Sequence, residues 1–69
     1  MKYKEGEIVK VASKPFHSVF GKDALWKIDH IKTSIPNRRP TLYVCYRIGD
    51  KCKTLFQFLE HELISVDND

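Results

Sequence analysis

The stretch Gly6-Glu7-Ile8-Val9-Lys10-Val11 sets a valine on every second residue directly after a glycine. That alternation belongs to a strand with one face in a core and the other in water. The chain closes on Phe58-Leu59-Glu60-His61-Glu62-Leu63-Ile64-Ser65-Val66, a phenylalanine, one polar turn and a short apolar run. Three more β-rich stretches lie between the two ends, and none carries the 3.6-residue period of a convincing amphipathic helix. The expected fold class is all-β: five short strands closed into a small barrel, with one 3-10 turn at Leu59–Glu62 before the last strand.

Strand parity extends the reading. The first strand is expected over about Glu7–Ser13, with Val9 and Val11 inward. A loop from Lys14 to Asp23 follows, bounded by Pro15, which cannot donate to a ladder, and by Gly21, which suits a positive φ. The second strand runs from Ala24 to about Thr33, with Trp26 and Ile28 on one face and Lys27 and Asp29 on the other. Ile31 breaks that alternation, so a bulge or bend is expected near Asp29-His30. A loop over Ser34–Pro40 leads to a hairpin of about Thr41–Ile48 and Cys52–Phe58, turned at Gly49-Asp50-Lys51. With a three-residue turn, Val44 pairs with Phe56 and Leu42 with Phe58, all inward. A two-residue turn sends both phenylalanines to solvent, at a cost of roughly 2 kcal/mol each. Leu63 and Val66 are expected to return to the core.

A chain of 69 residues has room for one hydrophobic core, expected over about residues 6–66. It buries only about 60% of its unfolded surface, so each core position carries weight. No run of about 20 apolar residues offers a membrane span, and the first residues lack the apolar stretch of a secretory signal. The expectation is a cytoplasmic protein without membrane contact. Parity puts Cys45 outward and Cys52 inward, so the two thiols are not expected to bond. The net charge of +3 favours anionic partners weakly and is far from a dense basic stripe.

Val11-Ala12-Ser13-Lys14-Pro15-Phe16 with Gly21 six residues after Pro15 resembles the Pro-Phe-x-x-x-x-Gly loop of KOW domains in NusG-type transcription factors. The Gly6–Val11 opening also resembles that of KOW and other SH3-like barrels, and Gly6–Val66 can be laid over the barrel in the same strand order. The ending is similar to small SH3-like proteins of Gram-positive bacteria and their prophages. Ala24 stands where a second glycine is common, and the Ser34–Pro40 loop is longer than a KOW domain needs. The resemblance implies an SH3-like (KOW/Tudor-like) barrel. It also implies docking on RNA, ribosomal protein, termination factor or RNA polymerase through the loop after the first strand.

Two loops offer partner-binding residues. Phe16 and Phe20, with Val19 between them, either fold back to plug the barrel end or stand exposed as apolar anchors. Arg38 and Arg39, flanked by prolines, present donor forks to carboxylate or phosphate or are ordinary solvated charge. Tyr43 is outward by parity, where it stacks on a base or proline or simply supports Gln57 across the sheet. For nucleic acid, Lys27, Lys32, Arg47 and Lys53 would extend the positive surface of Arg38 and Arg39. His17, His30 and His61 fall on separate elements, so no metal site is expected. No nucleophile motif, phosphate-binding loop or carboxylate pair appears, and neither a catalytic residue nor a cofactor is expected. The leading expectation is a non-enzymatic module that docks on a protein, such as a phage or prophage regulator of host transcription or other machinery. RNA or DNA binding is the alternative, and a structural subunit joined through a sheet edge is the third.

Overall fold

The computed structural model describes residues 2–33 and 41–66. Five strands and two short helical elements follow one another: β1 (Ile8–Val11), α1 (Lys14–Phe20), β2 (Trp26–Lys32), β3 (Leu42–Arg47), β4 (Phe56–Leu59), a 3-10 turn (Glu60–Glu62) and β5 (Leu63–Ser65). The strands form one antiparallel sheet in the order β4-β3-β2-β1-β5. The first four make a meander, and β5 returns beside β1. The sheet is not closed, since β4 and β5 hold its two edges. No helix among the described residues is long and apolar enough to cross a membrane.

One face of the sheet carries the core: Val9, Val11, Trp26, Ile28, Tyr43, Cys45, Phe58 and Leu63, together with Tyr3. Tyr3 extends the core beyond its expected start at residue 6. Its ring meets Tyr43 edge-on at 5.4 Å and its hydroxyl donates to the Leu63 carbonyl at 3.1 Å.

The expected bulge in β2 is present. The β2–β3 register shifts between Ile28 and His30, so Ile28 faces Cys45 while Ile31 faces Tyr43. The extra residue restores Ile31 to the core side.

β3 faces the opposite way from the sequence expectation. Tyr43 pairs with Phe58 and Cys45 with Phe56, one residue out of the expected register. Tyr43 is fully buried, not outward, and Cys45 is sealed in the core while Cys52 is exposed. A one-residue slip exchanges every side chain between faces. The observed register gives the core the large Tyr43 ring and leaves Arg47 at the margin, its charge at the rim. Both cysteines are free thiols, as expected, although their faces are exchanged.

The turn explains the altered register. The first half of the expected fourth strand is a loop wound around Asp50, whose carboxylate accepts the Cys52 and Thr54 backbone N–H groups at 3.0 Å each. Lys53 there adopts the left-handed conformation, φ 50°. The 3-10 turn forms where expected, with the Leu59 N–H donating to Glu62 Oε1 at 2.8 Å. Leu63 returns to the core, but Val66 remains exposed.

The stretch expected to be a loop after β1 is a seven-residue helix. Pro15 lies in its first turn, where a missing N–H costs nothing, and the Gly21 N–H closes it on the His17 carbonyl at 2.9 Å. Phe16 and Phe20, four residues apart, share the face that meets the core. The Pro-Phe-x-x-x-x-Gly spacing therefore marks the start and stop of a helix in this chain. Gly21 sits at φ 99°, a conformation that side chains with a Cβ rarely adopt.

Candidate functional site

The Phe16 and Phe20 rings stack on one another at 5.9 Å. Phe16 also meets Trp26, Phe56 and Phe58 edge-on at 5.7, 5.2 and 5.1 Å. Phe20 touches Trp26 at 5.3 Å and Phe56 at 6.0 Å. These are the separations and tilts that aromatic quadrupoles favour. Both phenylalanines are half-buried, so they seal the end of the core and still contribute to the surface.

Above them lies a shallow depression of about 290 Å³ lined by Pro15, Phe16, Val19, Phe20 and Phe56. Val19, on the outer side of α1, is 72% exposed. At the rim, the Arg47 guanidinium carbon stands 5.6 Å from the Phe20 ring centre, within cation–π range. Arg47 Nη1 makes a long contact of 3.5 Å to the Ile48 carbonyl, and its buried Nε has no hydrogen-bond partner among the described residues. The chain thus joins a rigid apolar floor to a planar cation.

The other expected site residues scatter. Tyr43 lies in the core beside Tyr3 and presents nothing to a base or proline, a correction to its expected outward face. Arg38 and Arg39 lie outside the described residues. Lys27 is on the face of the sheet opposite the core, directly across from Tyr46. Lys53 Nζ stands 5.3 Å over that same Tyr46 ring. Lys32 ends β2. Arg47, on the core side with Phe20, is therefore separated from Lys27 by the sheet itself.

The three histidines lie on α1, β2 and the 3-10 turn. His17 Nε2 is hydrogen-bonded to the Val11 carbonyl, His30 Nδ1 lies 2.7 Å from Asp29 Oδ2, and His61 is exposed in the 3-10 turn. No group of metal-ligating side chains gathers among the described residues.

A second set of residues lies on the far side of the sheet, and Val66 belongs to it in place of its expected position in the core. Ile8, Leu25, Ile48, Ile64 and Val66 are all exposed, although each is a large aliphatic side chain. Their signal was present in the pairs Ile8-Val9 and Leu25-Trp26, where apolar residues occupy both parities of one strand. No family model matches the chain, and neither a curated protein nor a solved structure matches it.

Proposed function

We propose that this chain is a non-enzymatic docking module, an SH3-like fold with an open sheet, that takes an apolar side chain of a partner protein into the depression on α1. The return of β5 to β1 after a four-strand meander supports the SH3-like reading. The observation that carries the function is Val19, 72% exposed beside an entirely apolar, aromatic-floored hollow. Such a hollow is preformed, so this chain loses little conformational freedom when a partner enters it. Buried aromatic and arginine anchors are the usual carriers of binding energy. Arg47 at the rim suits a partner with a carboxylate next to its apolar anchor.

Nucleic-acid binding is the weaker reading because the candidate cations face different ways: Lys27 lies across the sheet from Tyr46 and Lys53 stands over its ring, while Arg47 covers Phe20. Phosphate tracking requires cations gathered along one path. The resemblance to KOW-type barrels suggests transcription or translation machinery as the class of partner, with a phage or prophage regulator as one setting. The two separate thiols suit a reducing, cytoplasmic compartment.

Affinity capture from the producing cell's lysate tests the reading with wild-type protein and Val19→Lys, each with and without nuclease. The expected result is a co-purifying protein that withstands nuclease and added salt, and that Val19→Lys loses. Release of all captured material by nuclease, or equal capture by the variant, overturns the proposal.

A further inference from the structure

The sheet has a second apolar surface, on the side away from the core. Along β1 the residues alternate, Val9 and Val11 inward, Ile8 and Lys10 outward. The outward set continues on both neighbours: Lys27 faces Ile8, and Ile64 faces Lys10. The Ile48 N–H donates to the Leu25 carbonyl at 2.9 Å, joining the next two outward residues. Gly6, Glu7, Ile8, Leu25 and Val66 surround a depression of about 470 Å³ on this side. Five aliphatic side chains thus share one face, each between 37% and 45% exposed. Single exposed aliphatics are ordinary, whereas a contiguous set marks a surface that another molecule covers.

The charges on that face select the occupant. Lys27 stands between Ile8 and Tyr46 across the sheet, and Lys53 approaches Tyr46 from beyond β3. No carboxylate forms an ion pair with Lys27 or Lys53 among the described residues. Of the acids near the face, Asp23 lies 3.9 Å from Lys10, Asp29 Oδ2 lies 2.7 Å from His30 Nδ1, and Glu7 Oε1 already accepts the Lys4 backbone N–H at 3.0 Å. The face is therefore an aliphatic strip bordered by two ammonium groups without acidic partners. A second copy of this chain in face-to-face contact would bring four such lysines into one interface, which disfavours pairing. A nucleic acid would satisfy the lysines and leave the aliphatic strip in water.

We propose that this face docks an acidic amphipathic segment of another protein, its apolar side laid along Ile8, Leu25, Ile48 and Val66 and its carboxylates directed to Lys27 and Lys53. This surface lies across the sheet from the α1 depression and does not depend on it. Aliphatic contact supplies the affinity, and the lysines supply the choice of partner and its orientation.

The test uses two synthetic amphipathic helical peptides with identical leucine faces, one with glutamates on its polar side and the other with lysines, titrated into isotopically labelled protein. The glutamate peptide should shift the amides of Ile8, Leu25, Lys27 and Ile48, and bind about tenfold tighter than the lysine peptide, as two surface ion pairs allow. Lys27→Glu should narrow or reverse that preference without disturbing the fold. Lys27→Gln should reduce it if the glutamate variant does not fold. Equal binding of the two peptides, shifts confined to α1, or no shifts at all would refute the proposal. So would a dimer that covers this face before peptide is added, or vesicles of anionic phospholipid that perturb these residues when neither peptide does.

Discussion

Truncating Phe16 to alanine distinguishes a helix that completes the core from a helix that merely rests on it. Phe16 has four aromatic neighbours between 5.1 and 5.9 Å, Phe20, Trp26, Phe56 and Phe58, more than Phe20 has in the same cluster. Removing a fully buried phenylalanine side chain costs about 3–5 kcal/mol through lost transfer and the cavity left behind. Phe16 is half-buried, which reduces the expected loss to about 2–3 kcal/mol. A domain of this size has a total stability of roughly 3–10 kcal/mol, so the loss is a large fraction of it. Val19→Ala, on the exposed side of the same helix, should change stability by less than about 0.5 kcal/mol. Trp26 is the chain's single tryptophan and touches both Phe16 and Phe20, so its fluorescence reports the transition directly. With a urea slope of about 1 kcal/mol/M, Phe16→Ala should lower the midpoint by about 2–3 M. If both substitutions shift the midpoint equally little, α1 is not part of the cooperative core. The preformed hollow beneath Val19 would then have no rigid floor, and the docking proposal would fall with it.

The Tyr43 hydroxyl is buried without a hydrogen-bond partner among the described residues, whereas that of Tyr3 donates to Leu63. Tyr43→Phe should therefore leave stability unchanged or raise it by up to about 1 kcal/mol, while Tyr3→Phe should lower it by about 1 kcal/mol in the same urea assay. Burial pushes the Cys45 thiol up from 9.0 to about 12, so the folded protein keeps a proton that the unfolded chain releases. That contribution to stability is complete below pH 9 and is lost as pH rises toward about 12, and Cys45→Ala should flatten the alkaline slope of the unfolding midpoint. At pH 8 a thiol reagent should label exposed Cys52 quickly and Cys45 only on unfolding. Backbone N–H groups of Thr54 and Cys52 hold the Asp50 carboxyl below the usual aspartate range, so it stabilises the turn above that range and the effect fades as pH falls through its lowered value. The Thr54 and Cys52 amide resonances should titrate together there, and Asp50→Asn should abolish the titration. Gly21→Ala meets no atom within 4 Å yet must adopt φ 99°, so it should cost about 1 kcal/mol or more of stability from backbone strain alone.

The inward faces of β1 and β2 were legible because each states its alternation plainly: Val9 and Val11, then Trp26 and Ile28, with Ile31 out of phase and a bulge to correct it. β3 was not legible by the same rule. In Leu42-Tyr43-Val44-Cys45-Tyr46 both parities are apolar, and Val44 is buried along with its two neighbours. The choice between registers then rests on distant partners. Tyr3 receives Tyr43, and Asp50 organises a turn that no turn-residue rule for Gly49-Asp50-Lys51 contains. The helix was hidden for a related reason. Seven residues are too few to show an amphipathic period, and α1 is stable because Phe16 and Phe20 find Trp26, Phe56 and Phe58, contacts distant in sequence. The candidate site divides in the same way: its aromatic anchors were readable as residue types, but the Arg47 rim depended on the β3 register.

That register also links the two proposed surfaces. With Tyr43 and Cys45 turned inward, Arg47 follows them to the core side and lies over Phe20, while Tyr46 turns outward between Lys27 and Lys53. The opposite register would exchange these roles, removing the cation from the α1 hollow and the aromatic from the lysine border at once. One pairing, Cys45 with Phe56, therefore sets the chemistry on both sides of the sheet. A substitution that shifts β3 by a residue should damage both binding activities together, whereas Val19→Lys should abolish docking on α1 alone and Lys27→Glu should change only the charge preference of the opposite face. Independent change in those two variants is what separates a module with two faces from one continuous surface, because coupled sites respond to either change.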